Sequence, residues 1–392
     1  MAKGYSQQEG IDYKETFSPV VKMVTVRTIV SLAAARHWHI HQMDVFNAFL
    51  QGDLHDEIYM QLPQGFVSQG EKVCRLTNSL YGMKQAPRQW NQKLTEALSN
   101  LKFKQSQHDY SLFINQSEEG TILVLVYVDD MLITGSSLKL IEDTKKALQQ
   151  AFKMKHLGEL KYFLGIEFTR SAAGILMHQR KYSLELIAEV GLTAAKPAGT
   201  PIDINVKLTS KLYDEHVKKA ESDEPLIDQT TYQKIIGKLL YLNMTRPDIS
   251  FSTQTLSQFL QQPKRSHLDA ALRVIRYLKK QSGQGLLLAS DSDGQVTAFC
   301  DADWASCPLT RKSVTGYMVK IGRSLISWKA KNQTTISRSS AEAEYRSLAS
   351  TVSELIWLLG LLKEVGTKVQ VPVQVYSDSQ GCYSNSCQSS IP

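Results

Sequence analysis

The 392-residue sequence contains no run of 18 apolar residues, so no membrane-spanning helix is expected. It also lacks an apolar leader. The opening MAKGYSQQEGIDYKETF is polar and charged, which excludes a secretory signal in that stretch and makes an intracellular, cytoplasmic chain the expectation. Cysteine is scarce: Cys74, Cys300, Cys307, Cys382 and Cys387 are odd in number and fall at no zinc-site spacing. That argues against a disulfide framework and against a metal–thiolate site. No internal repeat is found, which excludes a solenoid.

What is present is the composition of a globular protein, 42% apolar and 21% charged, in a chain long enough for two or three domains. The net charge of +7 suits a polyanionic partner without establishing one. The pattern predicts a helix over 27–35, a strand and turn in HIHQMDVFNAFLQG, and a Pro/Gly interruption at 62–72. A helix over 86–99 follows, with Pro87 suited to its first turn. Ile122 to Thr134 reads as a strand pair, and 138–152 as an amphipathic helix with Ile141, Ala147, Leu148, Ala151 and Phe152 on one face. The polar stretch 207–230 reads as a surface linker, followed by helices over 232–244, 247–261 and 266–281. After the turn DSDG come three strands, a long helix and a fourth strand, an order that suits a separate α/β domain.

Within LVLVYVDDMLITG, Asp129 and Asp130 lie side by side between two apolar runs. An ordinary hairpin turn would pair Asp with Gly or Asn. Two adjacent carboxylates repel unless a cation compensates them, and oxygen ligands suit magnesium. Asp44 ends the apolar strand HIHQMDV, either as a turn cap or as a third carboxylate facing that tip. Three such groups can hold two metal ions about 4 Å apart. A second set lies near the other end: Asp301 in CDADW, Glu344 in SSAEAEY and Asp378 in YSD. Asp303 and Glu342 are alternatives, but Glu342 and Glu344 cannot share one face of a helix.

YVDD with its flanks resembles the catalytic hairpin of reverse transcriptases. QMDVFNAFLQGDL, LYGMKQAPRQW, LGELKYFLGIEF, GKLLYLNMTRPDISF, HLDAALRVIRYLK, DADWASCPLTRKSVTGY and ISRSSAEAEYRSLA, in this order, resemble the copia-type retrotransposon Pol polyprotein. The likeness runs from Ala2 to about Gln380. It implies α/β and α+β architecture: a right-hand polymerase palm at 1–206, linker and thumb or connection helices at 207–290, and an RNase H-like α/β domain at 291–392. It implies an RNA-directed DNA polymerase with an associated RNase H, each active site using two Mg2+ ions. The implied partners are an RNA template, a DNA primer, deoxynucleoside triphosphates and an RNA–DNA hybrid. A non-catalytic nucleic-acid-binding remnant is the alternative.

By the same resemblance, Asp44, Asp129 and Asp130 are the metal-holding acids of the polymerase, and Asp301, Glu344 and Asp378 those of the RNase H. Phe49 matches the aromatic that rejects a ribose 2′-hydroxyl, although by itself it reads equally as a core aromatic. Gly82, Lys84 and Pro87 match the template-and-nucleotide contact block; by themselves, Pro87 reads as a helix start and Lys84 as solvent-facing. The segment after LGEL resembles the hairpin that positions the primer end. Arg273, Arg276, Lys279 and Lys280 are candidates for phosphate contacts, or for a solvated helix face. The pattern departs at Phe46, usually polar in the family, and at Asn91, usually aromatic. The basic run that precedes AKGY in the family is not in this chain, and the tail GCYSNSCQSSIP does not match. Truncation at both ends, with impaired synthesis and no fourth RNase H carboxylate, is therefore the expectation.

Overall fold

The computed structural model describes residues 2–54, 56–62, 65, 72–203, 205–206, 208–217, 224 and 228–378. These form two compact units, one reaching to Leu160 and taking in Lys363–Thr367, the other Lys161–Leu362 with the segment from Lys368 onward.

The first unit contains α1 (Met23–Ala35), β1 (His39–Val45), a small ribbon of β2 (Tyr59–Gln61) and β3 (Val73–Arg75), and α2 (Ala86–Asn100). Then come β4 (Lys104–Gln105), β5 (Leu112–Ser117), β6 (Gly120–Tyr127), β7 (Asp130–Gly135), α3 (Leu138–Ala151) and β8 (Met154–Glu159). The main sheet has the order β4-β5-β6-β7-β1-β8. The central strands β6 and β7 are buried along most of their length, which accounts for their continuous apolar runs. On one face, Met43, Val45, Val124, Val126, Met131 and Ile133 pack with Trp90, Leu94 and Leu98 of α2 and Ile141 and Leu148 of α3. The α2 trio recurs every fourth residue, the spacing of one helical stripe. The expected apolar face of α3 needs one correction. Ala151 is exposed and Ala147 only half-buried, while Lys145 is buried. Its stem lies on the stripe, and its ammonium reaches Glu142 Oε1 at 2.7 Å and His41 Nδ1 at 3.2 Å.

The second unit opens with β9 (Tyr162–Phe163), β10 (Ile166–Ser171), β11 (Gly174–His178) and α4 (Arg180–Glu189). It continues through α5 (Lys211–Val217), α6 (Gln229–Leu242), α7 (Ser250–Ser257) and α8 (Arg265–Lys280) to β12 (Gly285–Ala289). Then follow β13 (Val296–Asp303), β14 (Val314–Ile321), β15 (Ser324–Asn332), α9 (Ser340–Glu364) and β16 (Gln374–Tyr376). One sheet is β12-β11-β10-β9 and another β15-β14-β13-β16, with β16 parallel to β13. The β-β-β-α-β order expected near the C-terminus is observed. The helix expected over 247–261 is shorter, a 3-10 turn at Pro247–Ile249 followed by α7. The stretch expected as a linker contains α5, and residues 218–223 and 225–227 of it lie outside the described residues. No break in packing falls at 206/207, because Leu186 and Ile187 of α4 share one core with Tyr232, Leu239, Leu256 and Val274. None falls at 290/291 either, since β12 pairs with β11 and Ala289 N–H donates to Ser324 Oγ at 2.9 Å. Among the described residues, no helix is long and apolar enough to cross a membrane.

Of the four α8 cations singled out above, three are engaged within the fold. Lys279 Nζ donates to the carbonyls of Thr193 (2.5 Å) and Ala195 (2.7 Å). Arg276 Nε donates to Lys196 O (2.9 Å), and Arg273 donates to Thr200 Oγ1 (3.1 Å) and lies 3.6 Å from Asp203. Lys280 is exposed. Lys279→Met should therefore lower unfolding stability by about 1–3 kcal/mol by leaving those carbonyls without their donor. Denaturant unfolding of the variant against the wild type checks this, and an unchanged midpoint would show that these contacts carry no stability.

Candidate active sites

The first site is built where β7 lies between β6 and β1. Tyr127 pairs with Asp130, so Val128 and Asp129 form a two-residue turn. Asp44 sits directly opposite Asp130 in the antiparallel β1–β7 pair. Both therefore lie on one face of the sheet, the face opposite Met43, Val45 and Met131. Val128 has φ 55°, a conformation that a β-branched residue adopts only under constraint. Two contacts supply the constraint. Trp90 Nε1–H donates to Val128 O at 2.7 Å, and Val45 N–H donates to Asp129 O at 2.9 Å. Trp90 is 2% exposed, so a core side chain reaches from α2 to hold the carboxylate-bearing turn. Trp90→Phe should cost about 1–3 kcal/mol by orphaning that carbonyl. Trp90→Ala should cost about 3–5 kcal/mol. Denaturant unfolding of both variants checks the order.

The three acids act on one another through charge. Burial, then the charge of Asp129, pushes the Asp44 carboxyl above its ordinary value, with Lys155 opposing. Lys155 lies across from Asp44 on β8. Burial also raises Asp130, with Asp129 and Asp44 adding to it, while Gln42 Nε2 donates to Asp130 Oδ1 at 3.3 Å and opposes the shift. An all-oxygen donor set whose negative charge Lys155 offsets only in part fits hard divalent cations.

Phe49 is half-buried against the core, and its ring meets Tyr81 at 4.7 Å between centroids. Tyr81 was not singled out in the sequence. Burial and then Asp129 push its phenol up, with Asp44 adding, while the Phe49 and Ala48 amides oppose. It therefore lies beside the acids, and its place between Phe49 and Gly82 is what marks it. Gly82 has φ 96°. Pro87 lies in the first turn of α2, as expected. Lys84 is exposed, and its ammonium lies 3.3 Å from Gln7 O and 3.2 Å from Tyr13 Oη. Any anion at Lys84 would have to compete with those contacts.

The second site lies at one edge of the β15-β14-β13-β16 sheet. Among the described residues, Asp301, Glu344 and Asp378 form the group of three possible metal-ligating side chains whose ligand atoms lie within 4.8 Å of one another. Asp44, Asp129 and Asp130 do not close to that spacing and interact through charge. Glu344 is buried on the α9 stripe that continues through Ser347, Thr351 and Leu355. Ser347 Oγ lies 2.7 Å from Asp301 O and 3.0 Å from Gly316 O, which ties the first turns of α9 to β13 and β14. Ala302 N–H donates to Glu344 Oε1 at 3.2 Å, but buried Oε2 has no hydrogen-bond partner. Burial raises the Glu344 carboxyl, Asp301 and Asp378 add to the shift, and the Ala302 amide opposes it. An orphaned carboxylate oxygen beside two further acids is a fit for a divalent cation. The alternatives fall away: Glu342 is paired with Arg346 at 2.8 Å, and Asp303 is outside the cluster.

A family profile described as reverse transcriptase (RNA-dependent DNA polymerase) matches residues 1–204. The retrovirus-related Pol polyprotein from transposon RE2 of Arabidopsis thaliana is 44% identical over 97% of this chain and 26% of its own length. The corresponding polyprotein from transposon TNT 1-94 of Nicotiana tabacum is 38% identical over 97% of this chain and 29% of its own. The putative transposon Ty5-1 protein of Saccharomyces cerevisiae is 33% identical over 80% of this chain and 100% of its own. The chain thus spans about a quarter of the plant polyproteins. The crystal structure of prototype foamy virus protease–reverse transcriptase aligns over 95% of this chain and 42% of that one, with 13% identity and a TM-score of 0.23, too loose to carry an argument. A profile match over the first half and alignment along nearly the whole chain place this protein in the reverse transcriptase (RNA-dependent DNA polymerase) family, among the copia-type retrotransposon Pol polyproteins.

Proposed function

We propose that the chain performs RNA-directed DNA synthesis at Asp44, Asp129 and Asp130 and hydrolyses the RNA strand of an RNA–DNA hybrid at Asp301, Glu344 and Asp378. The observation that carries the first part is the register that sets Asp44 opposite Asp130, with Asp129 held in the adjoining turn. Magnesium is the proposed cofactor at both sites; when bound, it supplies Lewis-acid activation of the attacking oxygen and charge neutralisation at phosphorus. The protein's own part is to hold the acids together and aimed. Trp90 and Val45 fix the turn, and Gln42 orients Asp130.

Phe49 is proposed to wall the sugar pocket, with Tyr81 packed against it fixing its ring. A rigid aromatic there would discriminate against a 2′-hydroxyl by exclusion. Gly82, Lys84 and Pro87 are proposed to form the template and nucleotide side. Their loop is braced by the N-terminal segment: Lys84 N–H donates to Gln7 Oε1 at 2.9 Å, and Ala2 N–H donates to Tyr81 O at 2.7 Å. In the second unit the hybrid would be read through groove shape and sugar hydroxyls rather than base sequence.

Extension of a DNA primer on an RNA template with magnesium and deoxynucleoside triphosphates tests the reading. The expected result is template-dependent incorporation. Binding of primer–template without any incorporation would establish a non-catalytic nucleic-acid-binding protein and overturn it.

A further inference from the structure

Glu344 lies on α9 between two points at which the helix is fastened to its sheet. Just before it, the buried Gln333 donates from Nε2 to Ala343 O at 2.9 Å. The same nitrogen lies 3.2 Å from Thr315 Oγ1 of β14, and Gln333 Oε1 accepts from Ser337 Oγ at 2.7 Å. One turn beyond Glu344, the fully buried Ser347 hydroxyl lies between Asp301 O (2.7 Å) and Gly316 O (3.0 Å). Asp301 and Gly316 are paired across β13 and β14. One hydroxyl therefore reaches both strands at the rung that carries a candidate ligand. Residues three apart share a helix face, so Glu344 and Ser347 meet the same sheet. The carboxylates of Asp301, Glu344 and Asp378 carry charge of one sign within 4.8 Å of one another. Their repulsion acts to part α9 from β13, and Ser347 opposes it one turn from Glu344.

We propose that Ser347 is a positioning residue that makes the Asp301, Glu344 and Asp378 group selective for Mg2+ over larger divalent cations: by fastening the backbone of Asp301 to α9, it fixes the separation of the Asp301 and Glu344 carboxylates. This rests on the reading of those acids as a cation site, which buried Glu344 Oε2, without a hydrogen-bond partner, supports. Mg2+ demands near-ideal octahedral geometry at about 2.0–2.1 Å, whereas Ca2+ accepts flexible arrangements of oxygens at about 2.3–2.6 Å. A frame of fixed width serves the smaller ion, and a loosened one loses that ion first. Ser347 touches neither ion nor substrate in this role; it acts through Asp301 and Glu344.

Ser347→Ala removes only the hydroxyl. Calorimetric titration of the full metal-free chain with Mg2+ and with Ca2+ reads the effect, with Glu344→Gln as the baseline for binding elsewhere. The expected result is a Kd for Mg2+ at this group raised about 10-fold, with the Kd for Ca2+ within about twofold. In hybrid cleavage, the Mg2+ concentration for half-maximal rate should rise by a similar factor, while kcat at saturating Mg2+ stays within about threefold. Thr351→Val is the control. It removes a bond to Ser347 O inside α9, so it should cost stability and leave both affinities unchanged. Gln333→Met loosens the fastening on the other side of Glu344 and should weaken Mg2+ binding in the same sense, which keeps the proposal testable where Ser347→Ala folds poorly. Unchanged Mg2+ affinity in the folded variants, or equal losses for Mg2+ and Ca2+, would mean a structural role and overturn the proposal. A wild type that binds no more Mg2+ than Glu344→Gln would overturn it as well. If the wild type binds Mg2+ at this group but cleaves no hybrid, the hydrolysis reading fails, while the two affinities still decide whether Ser347 sets the selectivity.

Discussion

Asp130→Asn should lower magnesium-dependent primer extension by at least about 1,000-fold and, in the same protein, raise the melting temperature of the metal-free form. The two effects have one cause. Asp130 and Asp44 face each other across β7 and β1 with Asp129 beside them, and burial together with mutual charge raises both Asp44 and Asp130. A carboxylate whose pKa is raised on folding gives its full contribution below its ordinary value and loses it as pH rises through the elevated one. The metal-free wild type should therefore lose stability between the ordinary carboxylate range and neutral pH. The substituted amide cannot ionise, so the variant should lose less, and its advantage should vanish in acid. Magnesium should raise the melting temperature of the wild type by mass action and raise that of the variant by less, because only the variant's second group of acids stays intact. Thermal melts with and without chelator, at mildly acidic and neutral pH, read all of this. A variant that melts lower at neutral pH would show that the acids do not strain the fold.

Glu344→Gln should abolish cleavage of the RNA strand of a hybrid, again by about 1,000-fold or more, while DNA synthesis stays within about twofold. The amide keeps the bond from Ala302 N–H through its remaining oxygen. It replaces Oε2, the buried oxygen without a partner, by an N–H2 that cannot ligate a cation. Glu342→Gln is the control: Glu342 is occupied by Arg346 and by the Arg338 amide, so cleavage should persist. Loss of cleavage in Glu342→Gln and retention in Glu344→Gln would reverse the assignment. The two predictions separate the activities because their acids lie in different compact units.

The strongly periodic segments were legible in the sequence. The stripe of Trp90, Leu94 and Leu98, the apolar runs flanking Asp129 and Asp130, and the long helix carrying Glu344 all appear where local pattern places them. Strands β11 and β12 were not read in advance. The ladder of β11 with β12 joins segments far apart in the chain, and β12 alone is only a short apolar run between turns. Helix α5 was hidden because its sequence, KLYDEHV, is polar and offers little periodicity. The basic face of α8 misled: spacing shows where its cations project, but not that carbonyls of 192–196 wait there to accept them.

By itself, the sequence determined which chemistry is on offer: paired acids in a tight apolar hairpin, a third at a strand end, and a second set around a strand–helix–strand unit. Tertiary structure alone decided which acids meet. Sheet register sets Asp44 against Asp130, and the facing of α9 on its sheet turns Glu344 inward and leaves Glu342 to an arginine. Spacing along a chain limits which side chains can share a face. Which faces come together depends on pairing between distant segments, and that is settled by burying their apolar sides against one another.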